Sequence, residues 1–225
     1  FSSQIFKNFF TVGIWTFISR VFGFCRDILL AAFLGSGPIG EAFIIAFSLP
    51  NIFRRFFAEG AFNAAFIPLF KKQMHNKGAS KKFVTNTLST LILTLLTFCS
   101  VGIAIMPLLV LAMAGGFGFD SRFDLAVYYG RITFPYIFMV SLSSLFAGIL
   151  NSHGRFSATS AAPILLNLCL IFAMLASHFL GLDMGTLISF SVTFSGFLQL
   201  IILMQATKKI GFLPSLTWPK FDNQL

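Results

Sequence analysis

Residues 184–206 read MGTLISFSVTFSGFLQLIILMQA, a run without a single charged side chain. A helix of about 20 mostly apolar residues crosses the hydrocarbon layer of a bilayer, and this run is long enough to do so. A soluble helix of the same length needs a polar face recurring at helical period, and these residues provide almost none. The composition of the whole chain agrees. Of 225 residues, 56% are hydrophobic and only 10% charged, with a mean hydropathy of +0.87. Soluble domains run nearer a quarter charged, because their surface faces water. Too few polar side chains are present here to coat a globule of this size, so much of the surface faces lipid. The 32 phenylalanines, against three tyrosines and two tryptophans, suit acyl chains because Phe has no polar atom to satisfy.

Five further stretches are long enough to cross: about 5–34, 42–70, 83–114, 125–150 and 158–180. The expected fold is therefore all-α, a polytopic membrane protein built as a six-transmembrane-helix bundle. Residues 1–220 form that unit, and 221–225 read as the start of a linker. The chain opens on Phe1 and its first apolar run is too long for a signal-peptide core, so it reads as a retained span with a few residues expected upstream. The links alternate in charge. Lys71, Lys72, Lys77, Lys81 and Lys82 crowd one, His153 and Arg155 lie in the next on that side, and Lys208, Lys209 and Lys220 follow the last span. The other links hold one basic residue, Arg122, beside Asp120, Asp124 and Asp183. By the positive-inside rule the Lys-rich side, with both termini, is cytoplasmic. That rule explains the net charge of +9 better than nucleic acid does, since no stacking groove or recognition helix accompanies it.

The most informative feature is charge inside the apolar runs. Arg20, Arg26 and Asp27 interrupt the first span, and Arg54, Arg55 and Glu59 the second, while the third, fifth and sixth hold none in their interiors. Each such residue costs about 2.5–3.5 kcal/mol to insert, so it survives where it meets water or a partner. Arg20 and Asp27 share a helix face two turns apart, and Arg55 and Glu59 are four apart and can meet. Glu41 stands at the mouth of the second span. The four arginines exceed Asp27 and Glu59 by two, and a surplus guanidinium inside a bundle is a natural seat for a phosphate, which its planar fork matches. A bland reading stands beside this one: Arg54 and Arg55 snorkel to the interface, and Arg20 with Asp27 is a structural ion pair. Pro50, Pro107, Pro135 and Pro163 invite kinks, and Gly13, Gly23, Gly148 and Gly196 allow close helix approach. Cys25, Cys99 and Cys169 are spaced for neither metal nor disulfide. No nucleotide loop, metal motif or catalytic constellation is present, so the expectation is a non-enzyme without cofactor.

Several motifs resemble the MviN/MurJ lipid II flippases of the multidrug/oligosaccharidyl-lipid/polysaccharide exporter superfamily. They are Ser19-Arg20-Val21-Phe22-Gly23-Phe24-Cys25-Arg26-Asp27, then Leu49-Pro50-Asn51 with Arg54-Arg55, and Phe57-Ala58-Glu59-Gly60-Ala61-Phe62. Ile132-Thr133-Phe134-Pro135-Tyr136, Gly148-Ile149-Leu150-Asn151 with Arg155-Phe156, Ala162-Pro163 with Leu166-Asn167, and Lys208-Lys209-Ile210-Gly211 continue the series in order. The resemblance implies a bacterial inner-membrane flippase that carries an undecaprenyl-pyrophosphate-linked peptidoglycan precursor, lipid II, from the cytoplasmic to the periplasmic leaflet by alternating access. It implies further that this chain is the N-terminal lobe, partnered by a second six-helix lobe in the same or another chain and by membrane lipids. The positions of Arg20, Arg26, Arg54 and Arg55 then bind substrate, and Asp27, Glu41 and Glu59 gate or pair; Glu41 stands where the family usually has Asp. The alternatives are another polysaccharide-lipid flippase or drug exporter of the superfamily, a membrane enzyme acting on polyprenyl phosphates, or a non-transporting scaffold or remnant.

Overall fold

The computed structural model describes residues 2–55, 61–117, 120–212 and 214. Among them the chain is helical almost throughout and contains no strand. Helix α1 (Ser2–Leu34) is followed by α2 (Pro38–Arg54) and α3 (Ala61–Gln73), which flank residues 56–60. Then come α4 (Lys77–Ala104) and α5 (Met106–Met113), a short 3-10 turn, α6 (Ser121–Thr133) and α7 (Tyr136–Ser152), α8 (Ser157–Leu180) and α9 (Met184–Lys209). The α4, α8 and α9 helices and the continuous α6–α7 rod are each long and apolar enough to cross a membrane. Helix α1 is longer still, but carries its charges midway. The chain is a polytopic all-α membrane protein, as its composition requires.

Local chemistry sets the helix ends. Asn76 caps α4, its side chain accepting from the Gly78 and Ala79 amides at 2.9 and 3.2 Å. Asp183 caps α9 by accepting from the Thr186 amide at 3.0 Å. Gly181 stops α8 in a left-handed conformation, φ 65°, which costs little only without a Cβ. Pro107 stands in the first turn of α5, where the span expected over 83–114 divides at Ile105, and Pro135 stands where α6 gives way to α7. Pro50 and Pro163 remain inside α2 and α8.

Neighbouring helices repair the backbone that the prolines leave open. Pro50 has no N–H to offer the carbonyl four residues earlier, that of Ala46. The buried Thr133 hydroxyl of α6 donates to that carbonyl at 3.2 Å. Thr193 of α9 donates to the Ile132 carbonyl, next to the Arg131 carbonyl that Pro135 leaves open, at 2.5 Å. In hydrocarbon no water can replace such bonds, so these hydroxyls set where α2, α6 and α9 meet.

Helix α8 packs between α1 and α9, α9 also packs on α7, and α2 lies along α6. One buried cluster gathers Phe43, Phe134, Tyr136, Leu170 and Ile188, and a second gathers Phe66, Phe70, Leu145, Ile149 and Leu203. Of the glycines singled out for helix approach, Gly196 does that work: an added Cβ would lie 2.8 Å from the Tyr136 ring. Gly148 similarly meets Phe66 and Asn63 at 3.0 Å, whereas Gly13 faces open space. Large apolar side chains face outward along α1 (Phe10, Phe17, Phe24) and α9 (Phe190, Phe194, Phe197), at the spacing of one helix face. The α9 row suits contact with lipid, whereas the α1 row shares its face with the exposed Arg20.

Candidate functional site

The charge inside α1 is held by a polar clamp. The Arg26 side chain is 19% exposed. Its Nε and Nη2 donate to Asp27 Oδ1 at 3.0 and 2.7 Å, and its Nη1 donates to Asn167 Oδ1 of α8 at 2.8 Å. The buried Asn167 in turn donates from Nδ2 to the Ser19 carbonyl at 3.1 Å. One carboxamide thus fixes α1 to α8 and aims the guanidinium. A guanidinium carries five N–H groups, so the clamp engages three and leaves others for a further acceptor. Arg20 and Asp27 share a face of α1 as expected, but Asp27 pairs with Arg26, whose long side chain curls back onto its sequence neighbour.

Arg26 and Arg54, from different helices, line one half-open cavity of about 320 Å³. Its walls include Ser19 of α1, Asn63 of α3, Ser143 and Ser144 of α7, Asn167 of α8 and Gln199 of α9. No acid lines it among the described residues. Asn63 donates from Nδ2 to Ser144 Oγ at 3.0 Å. The Gln199 side chain is buried, and its Nε2 finds no partner among the described residues. A buried amide donor left so costs about 1–3 kcal/mol, unless water or a ligand accepts from it. Two guanidinium groups, carboxamide donors and hydroxyls around a space of this size suit an anion with several oxygens.

Arg26 also stands in the wall of a second space, a cleft of about 640 Å³ between α1 and α2. Leu30, Ala31 and Leu34 form one side and Phe43, Ile44 and Phe47 the other, with Asp27 and Glu41 also in its wall, so the cleft is mostly rather than wholly apolar. A polar cavity and an apolar cleft therefore meet at one arginine. That combination accommodates an amphiphile, with a charged head on the guanidinium groups and hydrocarbon beside it.

At the acidic end, Glu41 is an ion-pair residue whose partner the sequence did not indicate. Arg122 Nη1 reaches Glu41 Oε2 at 2.7 Å, and its Nε reaches Asp120 Oδ2 at 2.8 Å. The same guanidinium lies 4.9 Å over the Phe117 ring. The pair ties the start of α2 to the start of α6. Hydrogen bonds from Arg122 and then Ser121 hold the Asp120 carboxyl below its ordinary value.

Of the residues expected at the site, Arg26 and Arg54 are brought together, and Asp27 and Glu41 each form an ion pair. Arg20 and Arg55 are exposed, and neither lines the central cavity. Glu59, and with it the expected Arg55–Glu59 contact, lies outside the described residues. Asn63, Ser143, Ser144 and Gln199 were missed as site residues. Their only signal in the sequence is a polar side chain inside an otherwise apolar helix, and many such residues merely bond their own backbone.

Comparison with known proteins converges on one family. The family model described as "Lipid II flippase MurJ" matches residues 30–225. A "Probable lipid II flippase MurJ" of Rhizobium tropici is 42% identical over 225 residues, covering 97% of this chain and 42% of that protein. A "Lipid II flippase MurJ" of Burkholderia cenocepacia is 37% identical over 216 residues, covering 94% of this chain and 42% of that protein. Among solved structures, "Lipid II flippase MurJ, inward closed conformation" superposes with a TM-score of 0.74 at 25% identity, covering 92% of this chain and 43% of that one. The chain spans about two fifths of the length of the curated relatives it matches.

Proposed function

We infer the function from one premise: the chain belongs to the lipid II flippase MurJ family. On that premise it is the N-terminal lobe of a flippase that moves lipid II from the cytoplasmic to the periplasmic leaflet of a bacterial inner membrane. Residues 1–220 make up the lobe, 221–225 lead toward a second lobe in the same or another chain, and both termini of this segment are cytoplasmic. The protein transports its substrate without chemical change.

The observation that carries the reading is the meeting of Arg26 and Arg54 in a polar cavity that adjoins an apolar cleft. A pyrophosphate offers several oxygens to two guanidinium groups. The clamp by Asp27 and Asn167 means that Arg26 is already oriented before substrate arrives, so little side-chain entropy is lost on binding. The polyprenyl chain lies along the α1–α2 cleft and the bilayer beyond it. Arg20 and Arg55, on the exposed faces, guide the headgroup on its way in or out. Glu41 acts through Arg122 as the latch that holds α2 to α6 at the periplasmic end. Rocking of the two lobes about the cavity exposes it to each leaflet in turn, the kind of motion by which alternating-access carriers work.

The test is lipid II translocation by the intact protein carrying Arg26→Ala or Arg54→Ala. Each variant is expected to insert normally into the membrane yet lose translocation. Normal flipping by both would contradict the reading.

A further inference from the structure

A second cationic cavity lies at the end of the bundle opposite the Glu41–Arg122 latch. The turn between α7 and α8, the end of α9 and the first part of α1 enclose about 980 Å³. Its polar walls include Arg155, Lys209, His153 and Thr11, and Ala161 and Ile210 stand among its apolar ones. His153 sits in the turn with Nδ1 2.8 Å from the Ile149 carbonyl, and its ring lies 6.0 Å from that of Phe70 and 5.9 Å from that of Phe212. A hydrogen bond of 3.1 Å from Trp15 Nε1 to Ser157 Oγ joins α1 to the start of α8 beside it.

Among the described residues the charge at this end has one sign, and no Asp or Glu lines the cavity. The acids among the described residues lie elsewhere: Asp27 midway along α1, and Glu41, Asp120, Asp124 and Asp183 at the opposite end. Lys208 adjoins Lys209, and the Phe70–His153 contact brings the end of α3, with Lys71 and Lys72, to the same side. Helix α8 begins in the cavity wall, so the positive end of its dipole adds to the field of the side chains.

Size and lining narrow the occupant. The space is large for a lone phosphate and falls within the range that holds a whole small ligand. One part is cationic and another is apolar, so the fitting ligand is an amphiphile with an anionic head. The helices cross a membrane, and this end opens where headgroups and the first carbons of acyl chains lie. Basic side chains at that depth attract anionic lipids.

We propose that this cavity binds the phosphate headgroup of an anionic phospholipid, with Arg155 and Lys209 on the phosphate and the apolar wall against the proximal acyl chain. The site is separate from the Arg26–Arg54 cavity and does not depend on the flippase reading; it requires only that the bundle crosses a membrane. Arg155 offers its planar fork to two phosphate oxygens, and Lys209 adds a point charge.

The test uses the intact protein, purified and delipidated in neutral detergent, with bound lipid counted by native mass spectrometry. Phosphatidylglycerol and phosphatidylcholine of identical chains are supplied separately. The wild type is expected to favour phosphatidylglycerol by about tenfold. The double variant Arg155→Gln/Lys209→Gln should lose that preference, and Arg155→Lys/Lys209→Arg should keep it. Equal retention of the two lipids by the wild type, or an unchanged preference in the glutamine variant, would overturn the proposal. Inorganic phosphate supplies the other arm. Displacement of the lipid by an equal concentration of phosphate would make the free ion the occupant and overturn the lipid assignment, whereas lipid that stays bound supports it.

Discussion

Arg26 was legible in the sequence because a charge in an apolar run is costly whatever the fold, and that cost demands an explanation. Its partners were not. Asn167 is the one amide of α8 and Gln199 one of two in α9, and only the packing of α1, α8 and α9 shows what they face. Their substitutions should behave differently. Asn167→Leu removes the clamp and is expected to cost about 1–3 kcal/mol as well as transport, because it strands the partners of a buried amide. Gln199→Leu deletes an amide whose Nε2 has no protein partner among the described residues. Thermal melting should then show unchanged or slightly raised stability while lipid II translocation falls, the signature of a group kept for a ligand. Arg122 shows the opposite limit of sequence reading: a lone base in an acidic link was noted, but its contact with Glu41 spans separate elements. Because the Asp120 carboxyl is held below its ordinary value of 3.8, it stabilises the fold above that pH and ceases to do so as pH falls through its lowered value. Melting curves of wild type and Arg122→Gln should therefore differ near neutrality and converge in acid.

At the scale of helices, hydropathy and length were enough to read the all-α membrane class, because the bilayer fixes how many apolar residues a span needs. The prolines showed where a helix is interrupted, but not what repairs it. Thr133 stands in one of the family motifs, but its role appears only where α6 places its hydroxyl on the Ala46 carbonyl that Pro50 leaves open. Thr133→Val keeps the shape and strands that carbonyl, so a loss of about 1–3 kcal/mol is expected in thermal or denaturant unfolding. The glycines divide in the same way. Gly196→Leu drives a side chain into Tyr136 and Met139 and should destabilise by about 1–3 kcal/mol. Gly13→Ala meets open space and should be neutral, or stabilising by up to about 1 kcal/mol, through helix propensity. Both are read by melting in detergent.

Among the described residues the lysines gather at one end with Arg155, most acids at the other with Arg122, and Arg20, Arg26, Arg54 and Arg55 stand with Asp27 in α1 and at the end of α2. Sequence alone left open whether those arginines reach out to the interface or meet inside. The structure separates them, with Arg20 and Arg55 exposed and Arg26 and Arg54 lining one cavity. The account stands on that cavity being wet and reserved for a phosphorylated head. The most direct measurement places a single cysteine at Ser144, in the cavity wall, or at Phe190, on the outward face of α9, with the native cysteines replaced by alanine. Each is then exposed in native membranes to a charged, membrane-impermeant thiol reagent, with and without added lipid II. Labelling at Ser144→Cys that lipid II suppresses is expected, with none at Phe190→Cys under either condition. A Ser144→Cys thiol that stays unlabelled, or that labels equally with lipid II present, would contradict it.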